Sequence, residues 1–330
     1  MGAWAKANED WLKSKLPLPE GIPSHDTIGR GLAALKPKGF QECFAQWVQS
    51  VSQLSEKEDA EQVAIDGKAL RRSYDSKKSL GPLFLVSAWS ASRGISLGQL
   101  ATEEKSNEIT AIPELLDNLD VSGTVVTIDA AGCQKSIVAK IIAGKGDYVI
   151  AIKGNQPTLF NLIANYFADH LENDFADIAC RQSEERIKGH DREDTVRYYQ
   201  FNVPAKWGMK KVWKGLRTVA VAVRSSVSKG KETSDVRYYI SSRGFSVAKH
   251  AGWIRNHWSI ENTLHWCLDV TFREDENRTR NHILANNLAW LRRFAISLLK
   301  QVDDKQSVAM RRRVAGWNVD YLSKVVGFTG

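Results

Sequence analysis

The sequence predicts an α/β fold: a mixed sheet with flanking helices, interrupted by a largely β insertion and preceded by an N-terminal helical segment. Three changes in residue pattern predict it. Apolar residues first recur at helical spacing, then short Val- and Ile-rich runs alternate with helical stretches, and later polar segments carry β-branched and aromatic residues. Alternating strands and helices bury a sheet beneath helices, which gives a layered domain.

The N-terminal segment, residues 1–60, is predicted to be helical. Trp4–Leu16 and Phe40–Leu54 have apolar residues at helical spacing. Between them, Ser24-His25-Asp26 is a helix start signal, because a serine before a helix accepts hydrogen bonds from its first amides. We therefore treat this segment as an accessory to the domain that follows.

Residues 61–330 are predicted to form the sheet domain. The elements before the insertion are Gln62–Asp66, Leu83–Ser90 and Ile95–Ala101 (strands), Glu108–Leu119 (helix), Thr124–Asp129 (strand), Gln134–Ala143 (helix), Asp147–Lys153 (strand) and Thr158–His170 (helix). This is the order of an RNase H-like fold. The insertion, at about 179–245, has predicted strands at Thr195–Val203, Leu216–Val223 and Val236–Ser241, and helices return at Trp253–Phe272 and His282–Lys300.

Composition favours a folded protein with a polyanionic partner. Hydrophobic residues make up 43% of the chain, and the net charge is +8 with a pI near 9.2. The four cysteines lie far apart without a CxxC pair, which argues against a zinc knuckle or a disulfide framework. No apolar run is long enough for a membrane span and the N-terminus does not resemble a secretory signal, so we expect a cytoplasmic protein.

Two predicted strands end in an aspartate followed by a small residue, at Asp66 and Asp129. Carboxylates at the carboxyl ends of neighbouring strands can face one site at the rim of a sheet. Such a pair suits Mg²⁺ or Mn²⁺, and two of these ions can stabilise both the attacking and the leaving oxygen of a phosphodiester. For either aspartate alone, a turn or helix-capping role is the more frequent use of a residue at this position.

A third carboxylate is expected from a later helix, and Glu261 is the candidate. His257, Glu261 and His265 are four residues apart, which places them on one face of the predicted helix. This spacing is also compatible with an exposed amphipathic face. It lacks the spacing of the HExxH zinc motif, and no third ligand is evident.

Basic residues near these acids are candidates for binding DNA phosphates. We predict this role for a flexible loop carrying Lys68, Arg71 and Arg72, for Lys153 after a strand at the same rim, and for Arg255 and His257 near the third acid. A solvated loop is the alternative. Arg292, Arg293 and Arg311–Arg313 could extend the track or form ordinary helix surface.

Two further patterns have a structural and a functional interpretation. Trp258, Trp266 and Trp290 could stack on bases, although tryptophans at helical spacing more often lie in a core. The KGNQP sequence from Lys153 to Pro157 could bind phosphate. It lacks the spacing of a P-loop, which argues against an ATPase.

Several segments together resemble a known family. They are GIPSHDTIGR, AIDGKALRRSYD, VVTIDAAGCQ, YVIAIKGNQPTL, ERIKGHDREDTVRYY and IRNHWSIENTLHWCLDVTFREDENRTR. In their order and spacing they resemble the ISAs-type insertion-sequence transposases, which include the H-repeat-associated proteins. The resemblance runs from about Trp11 to the C-terminus.

The resemblance implies an RNase H-like DDE transposase whose catalytic and metal-binding acids are Asp66, Asp129 and Glu261. It also implies two Mg²⁺ or Mn²⁺ ions, terminal inverted repeats and target DNA as partners, and a homodimer across paired ends. Related transposases carry a Tyr, Arg, Glu, Lys signature around the third acid, where this chain has Ile254, His257 and Leu268 beside the glutamate. Family members also begin further upstream, so we expect a shortened copy.

Two other functions remain open at this level. An RNase H-like nuclease would cut without joining strands, and a truncated DNA-binding remnant would bind without cutting. The β insertion favours the transposase over the nuclease.

Overall fold

The computed structural model describes residues 2–52, 60–102, 108–189, 192–228 and 230–327. The elements before the insertion are α1 (Gly2–Ala7), α2 (Glu9–Lys15), α3 (His25–Ala34), α4 (Pro37–Ser52), β1 (Gln62–Leu70), β2 (Leu83–Ser90), β3 (Ile95–Thr102), α5 (Glu108–Asp117), β4 (Val125–Ile128), α6 (Lys135–Ala143), β5 (Asp147–Ile152) and α7 (Pro157–Leu171). The later elements are β6 (Cys180–Gly189), β7 (Arg192–Asn202), α8 (Met209–Val212), β8 (Thr218–Ser228), β9 (Lys231–Ser241), α9 (Val247–His257), α10 (His282–Gln301), α11 (Val308–Trp317) and α12 (Val319–Val326).

The strands form one nine-stranded mixed sheet in the order β3-β2-β1-β4-β5-β9-β8-β7-β6. β1, β4 and β5 are parallel, whereas β5 and β9 and all later neighbours are antiparallel. The α/β fold class and the order of strands and helices before the insertion are therefore confirmed. The insertion's strands continue the same sheet from β5, a connection that the sequence did not indicate.

By its internal contacts the chain divides into two compact units. The first contains Met1–Glu56, Gly67–Asn107 and Glu261–Gly330. In it, α10 packs on β3, α3 and α4, and the aromatic rings of Phe44 and Trp290 lie 4.8 Å apart in the core. Trp290 is thus a core residue, as its helical spacing favoured.

The second unit contains Lys57–Asp66 and Glu108–Ile260. Its core forms where α9 lies on the sheet, with Trp253 and Ile254 packed among residues of β4, β5 and β7–β9. On α7, Phe167 packs against Tyr199 of β7. Burial of such large aromatic and branched side chains stabilises this unit.

Two expectations about the first elements of the chain need correction. Trp4–Leu16 forms two helices separated at Asn8 rather than one. β1 runs beyond Asp66 to Leu70, because Leu70 packs into a cluster with Leu83 and Leu85 of β2. The predicted helix Phe40–Leu54 is α4, except that Leu54 lies outside the described residues.

The third correction concerns Trp253–Phe272, which is not one α-helix. α9 ends at His257, and two π-helical segments follow at Ile260–His265 and Cys267–Thr271. π-Helical hydrogen bonds span five residues, so these turns are wider than those of the α-helix that the sequence predicts. The expectation that His257, Glu261 and His265 lie along one helical face stays a prediction.

Candidate active site

Asp66 and Asp129 each follow one member of a residue pair that joins two neighbouring parallel strands. Ile65 of β1 pairs with Ile128 of β4, and each aspartate is the next residue along the chain. Adjacent strands are about 4.8 Å apart, so the register brings the two aspartates side by side. Asp129 follows the last residue of β4, as predicted, whereas Asp66 lies within β1 rather than at its end.

Asp129 begins a tight turn and uses one oxygen to hold it. Its Oδ1 accepts hydrogen bonds from the amides of Ala131 and Gly132 at 3.0 and 3.3 Å. Among the described residues, its Oδ2 has no hydrogen-bond donor, and the side chain is exposed. The turn and a ligand role are therefore compatible, because the turn fixes one oxygen and leaves the other accessible.

Gly132 gives this turn its close approach to the sheet. A Cβ at this position would lie 2.3 Å from Cγ2 of Ile128, a separation that real carbon atoms do not adopt. Only glycine allows the backbone to pass so near the strand end. Gly132 thus has a steric role in this turn.

The KGNQP loop holds the same turn from the neighbouring strand. Asn155 donates from Nδ2 to the carbonyl of Ala130 at 2.7 Å, and Gln156 donates from Nε2 to the carbonyl of Cys133 at 2.9 Å. These two amides were missed as site residues in the sequence. Their signal was the position of the loop directly after β5, at the carboxyl end of a third parallel strand.

A polar network ties β1, β4 and α9 together behind the aspartates. Gln62 donates from Nε2 to Oγ1 of Thr127 at 3.0 Å and to the carbonyl of Trp253 at 2.8 Å. Thr127 also hydrogen bonds with Nδ1 of His257 at 3.1 Å. Burial lowers the pKa of His257 to about 4, against the opposing effect of nearby Asp129. The imidazole is therefore neutral at physiological pH and adds no positive charge.

Glu261 lies on the first π-helical segment, Ile260–His265, where its side chain is exposed. π-Helical turns occur often at functional sites, because they re-aim side chains that an α-helix would place elsewhere. His265 on the same segment is buried, and burial together with Arg293 and Lys68 lowers its pKa to about 3.

The segment after Glu261 is anchored by a cluster of ion pairs, one of them fully buried and the others partly exposed. Lys68 of β1 lies 2.6 Å from Asp269 and 2.9 Å from Asp275, measured from Nζ to the carboxylate oxygens. Glu274 pairs with Arg293 of α10 at 3.1 Å, and both side chains are 0% exposed. The expectation that Lys68 lies in a flexible loop is wrong, because these carboxylates hold it on a strand.

Arg293 was expected on a DNA track or on the helix surface, and both expectations are wrong. Its Nε donates to Oγ of Ser87 at 3.2 Å, and its Nη1 also donates to the carbonyl of Ala289. A buried guanidinium needs such partners, since a charge in the interior is stable only when paired and hydrogen bonded. Helical spacing could not distinguish this buried cation from its half-buried neighbour Arg292.

Comparison with known proteins decides the family. The Transposase DDE domain family matches residues 57–299, and the DDE_Tnp_1-associated family matches residues 1–48. The chain belongs to the DDE transposase family. The resemblance drawn from its motifs is thereby confirmed.

Relatives of this transposase extend over nearly its whole length. YbfL and the H repeat-associated YhhI, both from Escherichia coli strain K12, are 39% identical over 97% of this chain and 85% of their own. YncI of Escherichia coli O157:H7 is 37% identical over 96% of this chain and 81% of its own. A solved piggyBac transposase synaptic complex with hairpin DNA matches 81% of this chain and 54% of that chain, at 9% identity and a TM-score of 0.38.

A DDE transposase is expected to use divalent metal ions, and the two aspartates suit them. Hard cations prefer oxygen ligands, and the accessible Oδ2 of Asp129 beside Asp66 offers such ligands. Within the described part of the chain, no three His, Cys, Asp or Glu side chains are grouped as in a metal site. The roles of Asp66, Asp129 and Glu261 as metal-binding acids therefore stay predictions.

The remaining basic residues predicted to contact DNA differ in their surroundings. Arg72 and Lys153 are exposed. Arg71 lies 3.3 Å from Asp275, and Arg255 forms an ion pair with Glu185 at 2.5 Å. Contact of these residues with DNA stays a prediction.

Two of the three tryptophans considered for base stacking are exposed. Trp258 is partly exposed, with the guanidinium of Arg237 4.6 Å from its ring centre, and Trp266 is exposed. Stacking on bases stays a prediction for both.

In the described residues, no helix has the length and apolarity that crossing a membrane requires.

Proposed function

We propose that this DDE transposase cuts DNA at the ends of an insertion sequence and joins those ends to target DNA. The side-by-side placement of Asp66 and Asp129 supports the proposal, since phosphodiester chemistry uses carboxylates gathered at one point. The net charge of +8 suits a DNA substrate.

The proposed catalytic acids are Asp66, Asp129 and Glu261, which would hold two Mg²⁺ or Mn²⁺ ions. Such ions, when bound, stabilise charge on the attacking and leaving oxygens. The protein's own contribution is rigidity. Two amides fix Oδ1 of Asp129, so its Oδ2 is presented in a constant direction, and Thr127 and Gln62 hold the two strands behind it.

The proposed reaction has two in-line steps. A water oxygen attacks the phosphorus at the insertion-sequence end, the bond from phosphorus to the 3′ oxygen breaks, and that oxygen gains a proton. The resulting 3′ hydroxyl then loses its proton as it attacks a target phosphorus, and a target 3′ oxygen leaves. One phosphodiester is broken for each one made in the second step, so no ATP and no covalent enzyme intermediate is needed.

The kind of DNA contact proposed for each basic residue depends on whether that residue already has a carboxylate partner in the protein. Arg72 and Lys153 would meet phosphates directly, whereas Arg71 and Arg255 would exchange a carboxylate for a phosphate. His257, which is neutral, would act through a hydrogen bond. Lys68 would act indirectly, by holding the segment that follows Glu261.

Cleavage of DNA carrying the terminal repeats that flank the coding sequence tests the proposal. With Mg²⁺ present, the purified wild-type chain is expected to release 3′ hydroxyl ends, and a chelator is expected to stop it. Asp66→Asn, Asp129→Asn and Glu261→Gln should each abolish cleavage while retaining DNA binding. Asp169→Asn, a change at an exposed acid of α7, is the matched control and should cleave normally.

The outcomes separate the proposed function from its rivals. Joining of pre-cut ends to a target plasmid is the activity specific to a transposase. Nicking without joined product would identify a nuclease, and binding without any cleavage would identify a non-catalytic remnant. Near-normal cleavage by any one of the three variants would remove that residue from the catalytic set.

A further inference from the structure

The stretch from Arg273 to Arg280, REDENRTR, has balanced charge in the sequence and separated charge in the structure. It contains three acids and three arginines, so it predicts no net attraction for DNA. In the structure its three acids form ion pairs with protein cations, and two of its arginines are exposed. The stretch therefore presents a positive surface that its net charge does not reveal.

Each acid of the stretch has a cation within reach. Glu274 is buried against Arg293 at 3.1 Å. Asp275 lies 2.9 Å from Nζ of Lys68 and 3.3 Å from Nε of Arg71. These pairs neutralise the carboxylates from the protein side.

The third acid is paired within the stretch itself. Glu276 forms an ion pair with Arg273, three residues earlier. All three carboxylates of the stretch therefore have protein cations as partners, and none is left to repel a phosphate.

Arg278 and Arg280 differ, because both are exposed and neither forms an ion pair with a described residue. Thr279 between them closes a local turn, because its amide and hydroxyl both donate to Oδ1 of Asn277 at 3.0 and 2.7 Å. This turn fixes the backbone between the two guanidinium groups. Two arginines whose backbone is held in place and whose guanidinium groups can move suit the irregular spacing of phosphates.

Arg72 extends this surface. It is exposed and lacks an ion pair with any described residue, and its neighbour Arg71 contacts Asp275 at 3.3 Å, only a few residues from Arg278. The loop after β1 and the loop before α10 therefore meet through this contact. We infer that Arg72, Arg278 and Arg280 form a phosphate-binding surface for DNA beside the segment that carries Glu261. The inference rests on the proposed function, which supplies DNA as the partner.

The salt dependence of DNA binding tests it, measured by fluorescence anisotropy with a short duplex of arbitrary sequence. Each phosphate contact contributes about 0.9 to the slope of log K against log salt concentration, so Arg278→Gln with Arg280→Gln should lower the slope by about 1.8. The affinity gap to wild type should then widen about twelvefold between about 200 and about 50 mM salt. The conservative pair Arg278→Lys with Arg280→Lys should keep most of the slope.

Lys210→Gln with Lys211→Gln is the matched control, because it also removes two exposed positive charges, from α8 in the other compact unit. Its slope should stay near that of wild type. An unchanged slope in the arginine variant, or an equal loss in both double variants, would overturn the inference while the proposed function stands. A wild-type chain that binds no DNA would overturn both. Circular dichroism confirms that each variant is folded.

Discussion

Glu274→Gln should destabilise the unit that contains α10, because it leaves a buried arginine without its counter-charge. Glu274 and Arg293 are fully buried and 3.1 Å apart, and the other oxygen of Glu274 lies 3.7 Å from Nζ of Lys68. Removing one partner of a buried pair costs about 3 to 5 kcal/mol, most of it from the charge left behind. That loss corresponds to a fall in Tm of at least about 6 °C for a unit of this size.

A double-variant cycle separates the pair from its surroundings. Arg293→Met alone should also destabilise, because Glu274 then loses its closest cation. Glu274→Gln with Arg293→Met should be more stable than the sum of the single losses predicts, since no charge of the pair remains uncompensated. Differential scanning calorimetry measures all four proteins. Single variants that melt within about 1 °C of wild type would refute the assignment of Arg293 and Glu274 as a mutually dependent buried pair, since the expected loss of about 3 kcal/mol would be missing.

Two further variants probe other parts of the fold. Gly132→Ala should displace the Asp129 turn and lower the rate of cleavage, and the overpacking should destabilise the fold by about 1 to 3 kcal/mol. Gly154→Ala in the neighbouring loop is the control, because its added Cβ would meet nothing within 4 Å. It should behave as wild type in the same cleavage and melting assays. Burial lowers the pKa of His250 to about 4 from an ordinary 6.5. Between these two pH values, the unfolded chain therefore binds a proton at His250 that the folded chain does not bind. Stability should therefore fall as pH is lowered from about 6.5 to about 4, and His250→Gln should flatten that part of the Tm profile; parallel profiles would contradict this.

The elements that place Asp66 and Asp129 could be predicted because local pattern determines them. Val125–Ile128 is an unbroken run of buried β-branched residues, and Leu83–Ser90 begins and ends where predicted. A strand that is buried on both faces needs such a run, and a short helix between parallel strands follows from chain geometry. The pairing of β1 with β4 then places the aspartates together.

The features that were missed depend on contacts distant in sequence. Nothing near Arg293 indicates burial, since its partner Glu274 lies nineteen residues away, in a stretch that looks like exposed charge. The same is true of Lys68, whose partners lie about two hundred residues further along the chain. The π-helical turns were missed for another reason, because they keep the apolar content of an α-helix and change only its period.

The continuation of the sheet beyond β5 has a consequence for any attempt to trim this protein. β9 pairs with β5 from Val149 to Ile152. The insertion therefore supplies hydrogen-bond partners for backbone groups of β5 that would otherwise form an unpaired sheet edge. Excising it would expose a hydrophobic strand ready to pair with other copies, and the product should aggregate. In the intact chain the edge strand on this side of the sheet is β6, where Glu184, Glu185 and Arg186 supply the charges that discourage such pairing.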